Sequence, residues 1–382
     1  MTSSVRDASR RALLALALLV LAPLAGAVVP SAPELEARAY LLLDHNSGRV
    51  LVAHNADERL EPASLTKMMT VYVALAEMAA GKIALTDQVR VSEKAWRMQG
   101  SRMFIEVGDR VTVEQLLKGV IIQSGNDASV ALAEHVAGHE TAFSDLMNRH
   151  AARLGLTGTH FVNASGLPDP DHYTTAADMA KLGAALIRDF PEHYSWHAIR
   201  EYEYGGIKQR NRNLLLFDDS AVDGIKTGHT ESAGYCLVAS AQRDGMRLIT
   251  VVMGTDSERT RARHSEALLT YGFRFFETRK LQPAMTPVVD VRMWQGEDPN
   301  VGLGVAEDLW VTVPRGQGDQ VVQSWTLGGA ITAPVARGQP FGTLTVSLGE
   351  DRLAERALVA VRDVPLGNLW RRASDYVLQL FQ

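Results

Sequence analysis

Ser64 and Lys67 stand three residues apart in Pro62-Ala63-Ser64-Leu65-Thr66-Lys67, where a helix-forming run begins. A serine hydroxyl is a weak nucleophile until a base takes its proton. Three residues is almost one helical turn, so the Lys67 amine can lie beside the Ser64 hydroxyl. The start of a helix adds backbone N–H groups and a positive dipole end near a developing oxyanion. For Lys67 to accept a proton its pKa must fall, and burial with another cation nearby would lower it. At average composition a Ser/Lys tetrad of this kind arises roughly once by chance in a chain this long. It needs company.

Two other stretches supply it. Ser124-Gly125-Asn126 follows the apolar Val120-Ile121-Ile122 and precedes a helical pattern. By itself it reads as a helix-capping loop, since Ser and Asn both cap and turn. Lys226-Thr227-Gly228 falls on the first of three late strands. A solvated strand end would account for it, but a cation flanked by a hydroxyl and backbone groups suits a substrate carboxylate. Arginine greatly outnumbers lysine in this chain, so a lysine inside a motif is a stronger signal.

The elements that must bring these stretches together can be read from pattern. Ala39 to Asp44 and Val50 to Ala53 are apolar runs around a His45-Asn46-Ser47-Gly48-Arg49 turn, which predicts a hairpin. Helices are predicted over 63–80 with Gly81 behind it, 113–117, 127–136, 173–188 with Thr174 or Thr175 as cap and Asp178 at capping-box distance, and 262–276. Strands are predicted over 224–230, 233–242 and 247–254. The order hairpin, helices, strands, helix predicts an α+β fold, with helices packed on an antiparallel sheet. From about Leu281 the composition changes, and 288–364 carries short alternating strands such as Leu309-Trp310-Val311-Thr312-Val313. That predicts a second, small, all-β domain.

The two ends differ from the rest. Arg6, Arg10 and Arg11 precede an uncharged Leu/Ala run from Ala12, and Ala25-Gly26-Ala27 offers a small-x-small cleavage pattern. This reads as an export signal, too short for a membrane span of ~20 residues. At the other end Leu369, Trp370, Ala373, Tyr376, Val377, Leu380 and Phe381 form a helical stripe, with Arg371, Arg372 and Asp375 on the other side. Such a stripe either docks on the β domain or lies in a membrane interface with its aromatics at headgroup depth. The single cysteine, Cys236, sits in an apolar strand and is expected to be a packing residue. A net charge of −5 and a pI near 6.1 give no sign of a nucleic-acid partner.

Ser-x-x-Lys, Ser-x-Asn and Lys-Thr-Gly in this order form the signature of β-lactamases and penicillin-binding proteins. The surrounding residues, Pro62 to Thr70, Gln123 to Ala128, Asp223 to Thr230, Asn211-Arg212-Asn213-Leu214-Leu215 and Gly272-Phe273-Arg274-Phe275-Phe276, resemble the low-molecular-mass D-alanyl-D-alanine carboxypeptidases. The similarity runs over nearly all of the chain after the export signal. It implies a serine peptidase in which Ser64 is acylated by the penultimate D-Ala carbonyl of a peptidoglycan stem pentapeptide, and which penicillin also acylates. It implies Lys67 as proton acceptor, Ser124 as relay to the leaving amine and Asn126 as a hydrogen-bond partner of the substrate amide. Lys226, with Thr227 and Gly228, would position substrate and protons. The backbone N–H of His229 would join that of Ser64 in an oxyanion hole, and Arg212 and Arg261 would hold the terminal carboxylate. No metal and no cofactor is implied. The expected division is 1–27 signal, 28–283 catalytic domain, 284–366 β-rich domain and 367–382 membrane-associating helix. The expected location is periplasmic, attached peripherally to the outer face of the cytoplasmic membrane.

Three alternatives have discriminators. A class A β-lactamase needs a glutamate between the second and third motifs, and no Glu lies between Arg153 and Phe190. A metal hydrolase could use His135 and His139, four apart, but Val136 stands where the adjacent Glu would be. An inactive wall-binding module would have lost Ser64, Lys67 or Lys226, and all three are present.

Overall fold

The computed structural model describes residues 29–379, so the export-signal segment lies outside the described residues. The N-terminal lobe is built on a five-stranded antiparallel sheet. Strands β1 (Ala39–Asp44) and β2 (Val50–His54) form the expected hairpin, and β3 (Val222–Thr230), β4 (Gly234–Arg243) and β5 (Met246–Thr255) form the late meander. Their order across the sheet is β2-β1-β5-β4-β3. The first strand therefore pairs with the last, and β3, which carries Lys226, is left at an edge. That edge has only one hydrogen-bonded neighbour, so its other side can face a ligand.

Helices cover both faces. α1 (Lys67–Ala79) runs through the main core and buries almost every residue from Lys67 to Leu75, as expected of a helix apolar all round. It is preceded by a short 3-10 turn, Ala63–Thr66, so the predicted helix over 63–80 begins more tightly wound than an α-helix. α2 (Val113–Lys118) passes through a wide five-residue turn, Gly119–Gln123, before α3 (Asn126–Ala137). α4 (Glu140–Arg153) was not expected from the sequence. Its buried residues Phe143, Met147 and Ala151 recur every four positions, but polar residues dominate between them.

α5 (Ala176–Asp189) begins three residues later than predicted, because Thr174 is held in a bridge to Leu60. Thr175 caps it by accepting from the Asp178 N–H at 3.1 Å. The Asp178 carboxylate turns away to Gly158 N–H and the Thr159 hydroxyl, so the capping box is only half made. α6 (Glu258–Phe275) starts four residues before the predicted 262, because the Ser257 hydroxyl caps it by accepting from Thr260 N–H. It packs with β4 and β5 in a second core on the sheet's other face.

Strand β6 (Phe276–Gln282) follows α6 without a loop and carries the chain into the second lobe. There β7 (Val289–Trp294), β8 (Asn300–Gly304), β9 (Leu309–Pro314), β10 (Val321–Leu327), β11 (Ile331–Thr332), β12 (Pro340–Leu348) and β13 (Asp351–Ala360) enclose a third core. β6 pairs with β9, and the other strands form a six-stranded sheet, as the alternating pattern led one to expect. The lobes meet where the β1–β2 turn touches β6 and β9. Asp44, wholly buried, accepts from Ser47 N–H and its hydroxyl at 2.8 Å and from the Thr278 hydroxyl at 2.5 Å. The Thr312 and Ser47 hydroxyls lie 2.6 Å apart, and Arg49 donates to the Thr312 carbonyl.

The chain ends in α7 (Leu369–Gln379). Leu380 and Phe381 of the predicted stripe lie outside the described residues. Asp375 is buried and accepts from the Gln295 N–H at 2.7 Å, while Leu369, Trp370, Tyr376 and Val377 are exposed. Asp375 faces the protein, and the described apolar residues Leu369, Trp370, Tyr376 and Val377 face outward. No described helix is long and apolar enough to cross a membrane.

Candidate active site

The three motifs converge on one cleft of about 420 Å³, lined by Ser64, Ser124, Asn126, Arg212, Thr227, Gly228, His229 and Arg261 among others. Ser64 lies in the 3-10 turn, where residues i and i+3 eclipse one another. That places Lys67 Nζ 2.9 Å from Ser64 Oγ. Lys67 is completely buried. Its amine also donates to Asn126 Oδ1 at 2.7 Å and to the Ser165 carbonyl at 2.6 Å. When the amine is neutral, these two acceptors can take both of its hydrogens and leave its lone pair for the Ser64 hydroxyl.

Burial is the main force that lowers the Lys67 pKa to about 7, and the Arg212 charge adds to it against the opposing pull of Asp127. A base poised near neutrality is what proton removal from a serine requires.

Ser124 occupies the left-handed region, with φ 61°, directly after the wide turn of 119–123. This unusual conformation aims its hydroxyl at the edge strand, where Lys226 Nζ donates to Ser124 Oγ at 2.9 Å. Since that oxygen accepts from Lys226, its own hydrogen is free to donate toward the cleft. Lys226 is buried as well, and burial first, then the charges of Lys67, Arg212 and Arg261, push its pKa well below the usual lysine range. Next to Asn126, Asp127 fixes the loop above the cleft by accepting from Met103 and Phe104 N–H, each at 2.8 Å.

The edge strand passes close to the nucleophile turn. A Cβ on Gly228 would lie 3.0 Å from the Pro62 carbonyl, so only glycine leaves this approach unforced. Arg261 donates to the Gly228 carbonyl at 3.1 Å and stands over the Tyr235 ring. The His229 ring stacks on Tyr235 with centroids 3.9 Å apart. Arg212 is exposed at the rim, with no carboxylate partner among the described residues. The cleft lining thus sets two arginines, Arg212 and Arg261, against the single carboxylate of Glu258, which favours an anionic ligand group.

Every residue singled out from the sequence for this site lines the cleft or bonds within it. Sequence reasoning missed the Ser165 carbonyl, which as main chain has no residue-type signature. It also missed Tyr235, although the register of the β3–β4 hairpin, pairing His229 with Tyr235, could have found it. His135 and His139 do not share a site. α3 ends at Ala137, His135 faces Asp87 at 3.5 Å, and His139 caps α4 by accepting from Ala142 N–H. Cys236 is fully buried at the back of β4, and burial pushes its thiol up to about 11.

Comparison with known proteins places the chain among relatives. Residues 27–257 match the family described as D-alanyl-D-alanine carboxypeptidase, and 276–366 match the penicillin-binding protein 5 C-terminal domain. The chain is 47% identical over 359 residues to the D-alanyl-D-alanine carboxypeptidase DacC of Escherichia coli, covering 92% of this chain and 90% of that protein. It is 43% identical to DacA of the same organism, with 93% and 90% covered. Among solved structures, penicillin-binding protein 5 of Haemophilus influenzae superposes with a TM-score of 0.84 at 42% identity, over 88% of this chain and 99% of that one.

Proposed function

The chain belongs to the D-alanyl-D-alanine carboxypeptidase family, and from that premise we propose how its cleft residues divide the work of the reaction. It is a serine-type D-alanyl-D-alanine carboxypeptidase that acts on peptidoglycan stem peptides and binds penicillin. In our reading Lys67, as the neutral amine, removes the Ser64 proton while Oγ attacks the penultimate D-Ala carbonyl. The Ser64 and His229 backbone N–H groups receive the oxyanion. The C–N bond then breaks, and Ser124 passes a proton from the Lys67 side to the departing D-alanine amine. Water later adds to the acyl-enzyme and restores the Ser64 hydroxyl. Asn126 orients the substrate amide. Lys226, Thr227, Arg212 and Arg261 hold the terminal carboxylate, with Gly228 letting the strand close on the nucleophile.

The observation that carries this reading is the Lys67 amine, buried and lowered to about 7, with its third bonding direction on Ser64. The test is mass spectrometry of a purified muropeptide pentapeptide after incubation, together with labelling by a fluorescent penicillin. Loss of one alanine and a labelled band are expected from the unaltered chain, and neither from Ser64→Ala. Labelling that survives Ser64→Ala would mean another nucleophile.

We further read residues 1–27 as an export signal, 28–283 as the catalytic domain, 284–366 as the β-rich domain and 367–382 as a membrane-associating helix. The outward apolar face of α7 supports the last of these, since Asp375 docks the helix and leaves Trp370 and Tyr376 exposed. Action on peptidoglycan supports a periplasmic location at the outer face of the cytoplasmic membrane.

A further inference from the structure

We propose that His172 is a positioning residue for the acylation step, holding the loop 162–172 so that its Ser165 carbonyl grips Lys67. The loop joins α4 to α5 and crosses the nucleophile turn. Three of its contacts reach that turn and α1: Ser165 O accepts from Lys67, Ala164 O accepts from the Thr70 hydroxyl at 2.7 Å, and Gly166 lies on Ala63. Within the loop Asn163 Oδ1 accepts from the N–H groups of Ser165 and Gly166, which sets the local turn.

His172 closes the loop. Its ring is 2% exposed and packs edge-on against Phe161. Val162 N–H donates to Nδ1 at 3.1 Å, so the proton of the neutral imidazole resides on Nε2. That Nε2–H lies 2.7 Å from the Thr66 hydroxyl, which belongs to the residue next to Lys67. One ring therefore ties the start of the loop to its end, and both to the turn that presents Ser64. Burial pushes the imidazole down to about 4, with His160 and Lys67 acting the same way and Asp169 opposing, so the acceptor role of Nδ1 persists at neutral pH.

Without this tie the Ser165 carbonyl loses its fixed distance to the Lys67 amine, and the lone pair is no longer held on Ser64. Substrate contacts in the edge strand are untouched. The inference rests on the acyl-enzyme reading above, and its experiment separates the two. His172→Phe keeps the ring volume and removes both hydrogen bonds. His172→Gln retains one donor and one acceptor at similar spacing. Thr66→Val deletes only the hydroxyl.

Acylation by a penicillin and kcat and KM for a D-Ala-D-Ala peptide would be measured on each full chain, with melting temperature as the folding check. In His172→Phe the acylation rate and kcat are expected to fall roughly 10- to 100-fold with KM changed less than about threefold, as for a displaced catalytic group. His172→Gln should recover most of the rate, and the His172→Phe/Thr66→Val double variant should lose little more than His172→Phe alone. Normal acylation in a folded His172→Phe, equal losses in the Phe and Gln variants, or a change confined to KM would overturn the proposal. An unaltered chain that neither takes up penicillin nor releases D-alanine would overturn the acyl-enzyme reading itself, and this inference with it.

Discussion

Gly166 lies so close above Ala63 that a Cβ on it would overlap the Ala63 carbonyl oxygen. Its φ of 85° is also one that side chains other than glycine rarely adopt. Ala63 itself sits at φ 47°, one residue before the nucleophile. Gly166→Ala must therefore shift the Ser64 turn or expel the loop that carries Ser165. The variant is expected to lose about 1–3 kcal/mol of stability and roughly 100-fold in acylation rate. Thermal melting and penicillin acylation would check both, and a variant acylating at the normal rate would contradict the packing described.

Lys67 must be unprotonated to act, and its pKa is lowered to about 7. Acylation should thus rise about tenfold per pH unit below pH 7 and level off above it. Arg212→Ala removes a like charge that helps lower this pKa, so the rising limb should move to higher pH. Stopped-flow acylation between pH 5 and 9 measures the limb; a flat profile would exclude Lys67 as the base.

The same shift has a stability consequence with a definite sign. Between about 7 and the ordinary lysine value of 10.5 the unfolded chain binds more protons at Lys67 than the folded one, so this residue's contribution grows more favourable as pH rises. Lys67→Met should be inactive, and its stability relative to the unaltered chain should improve as pH falls from 10.5 to 7. Denaturant midpoints at several pH values would show it. The opposite trend would mean that Lys67 is charged in the fold.

Removing residues from Asn368 onward should release the protein from membranes without changing turnover of a soluble D-Ala-D-Ala peptide. Sedimentation with vesicles of anionic phospholipid reads the first, and D-alanine release the second. Unchanged sedimentation would rule out α7 as the attachment.

Cys236 should resist alkylation in the native protein at pH 8 and react only once unfolded, given its burial and its thiol raised to about 11. Cys236→Ala should keep full penicillin acylation. Modification of the native protein, with loss of activity, would assign the thiol a role in the cleft.

The side chains that meet at the cleft were legible in the sequence because they are particular residue types at short spacings: a hydroxyl and an amine three apart, and a lysine on a strand. The β3–β4–β5 meander was legible too, since three successive strands were predicted there after a helical stretch. What stayed hidden is carried by backbone or by tertiary contact. The Ser165 carbonyl has no residue-type signal. The left-handed φ of Ser124 follows from the wide turn before it, not from serine's own preference. His172 looked like any isolated histidine until Val162 and Thr66 were seen on its two nitrogens. α4 escaped because its apolar positions are few, while its helix is secured by packing of Phe143 and Met147 into the main core.

The buried Asp44 belongs to both halves of the molecule at once, answering Ser47 on one side and Thr278 on the other. Opening the junction would take the Thr278 hydroxyl from this buried carboxylate and leave it only its local Ser47 donors, which is more costly than leaving it closed. The halves should therefore melt in a single cooperative transition, despite their separate hydrophobic cores. Asp44→Ala would split the calorimetric endotherm in two.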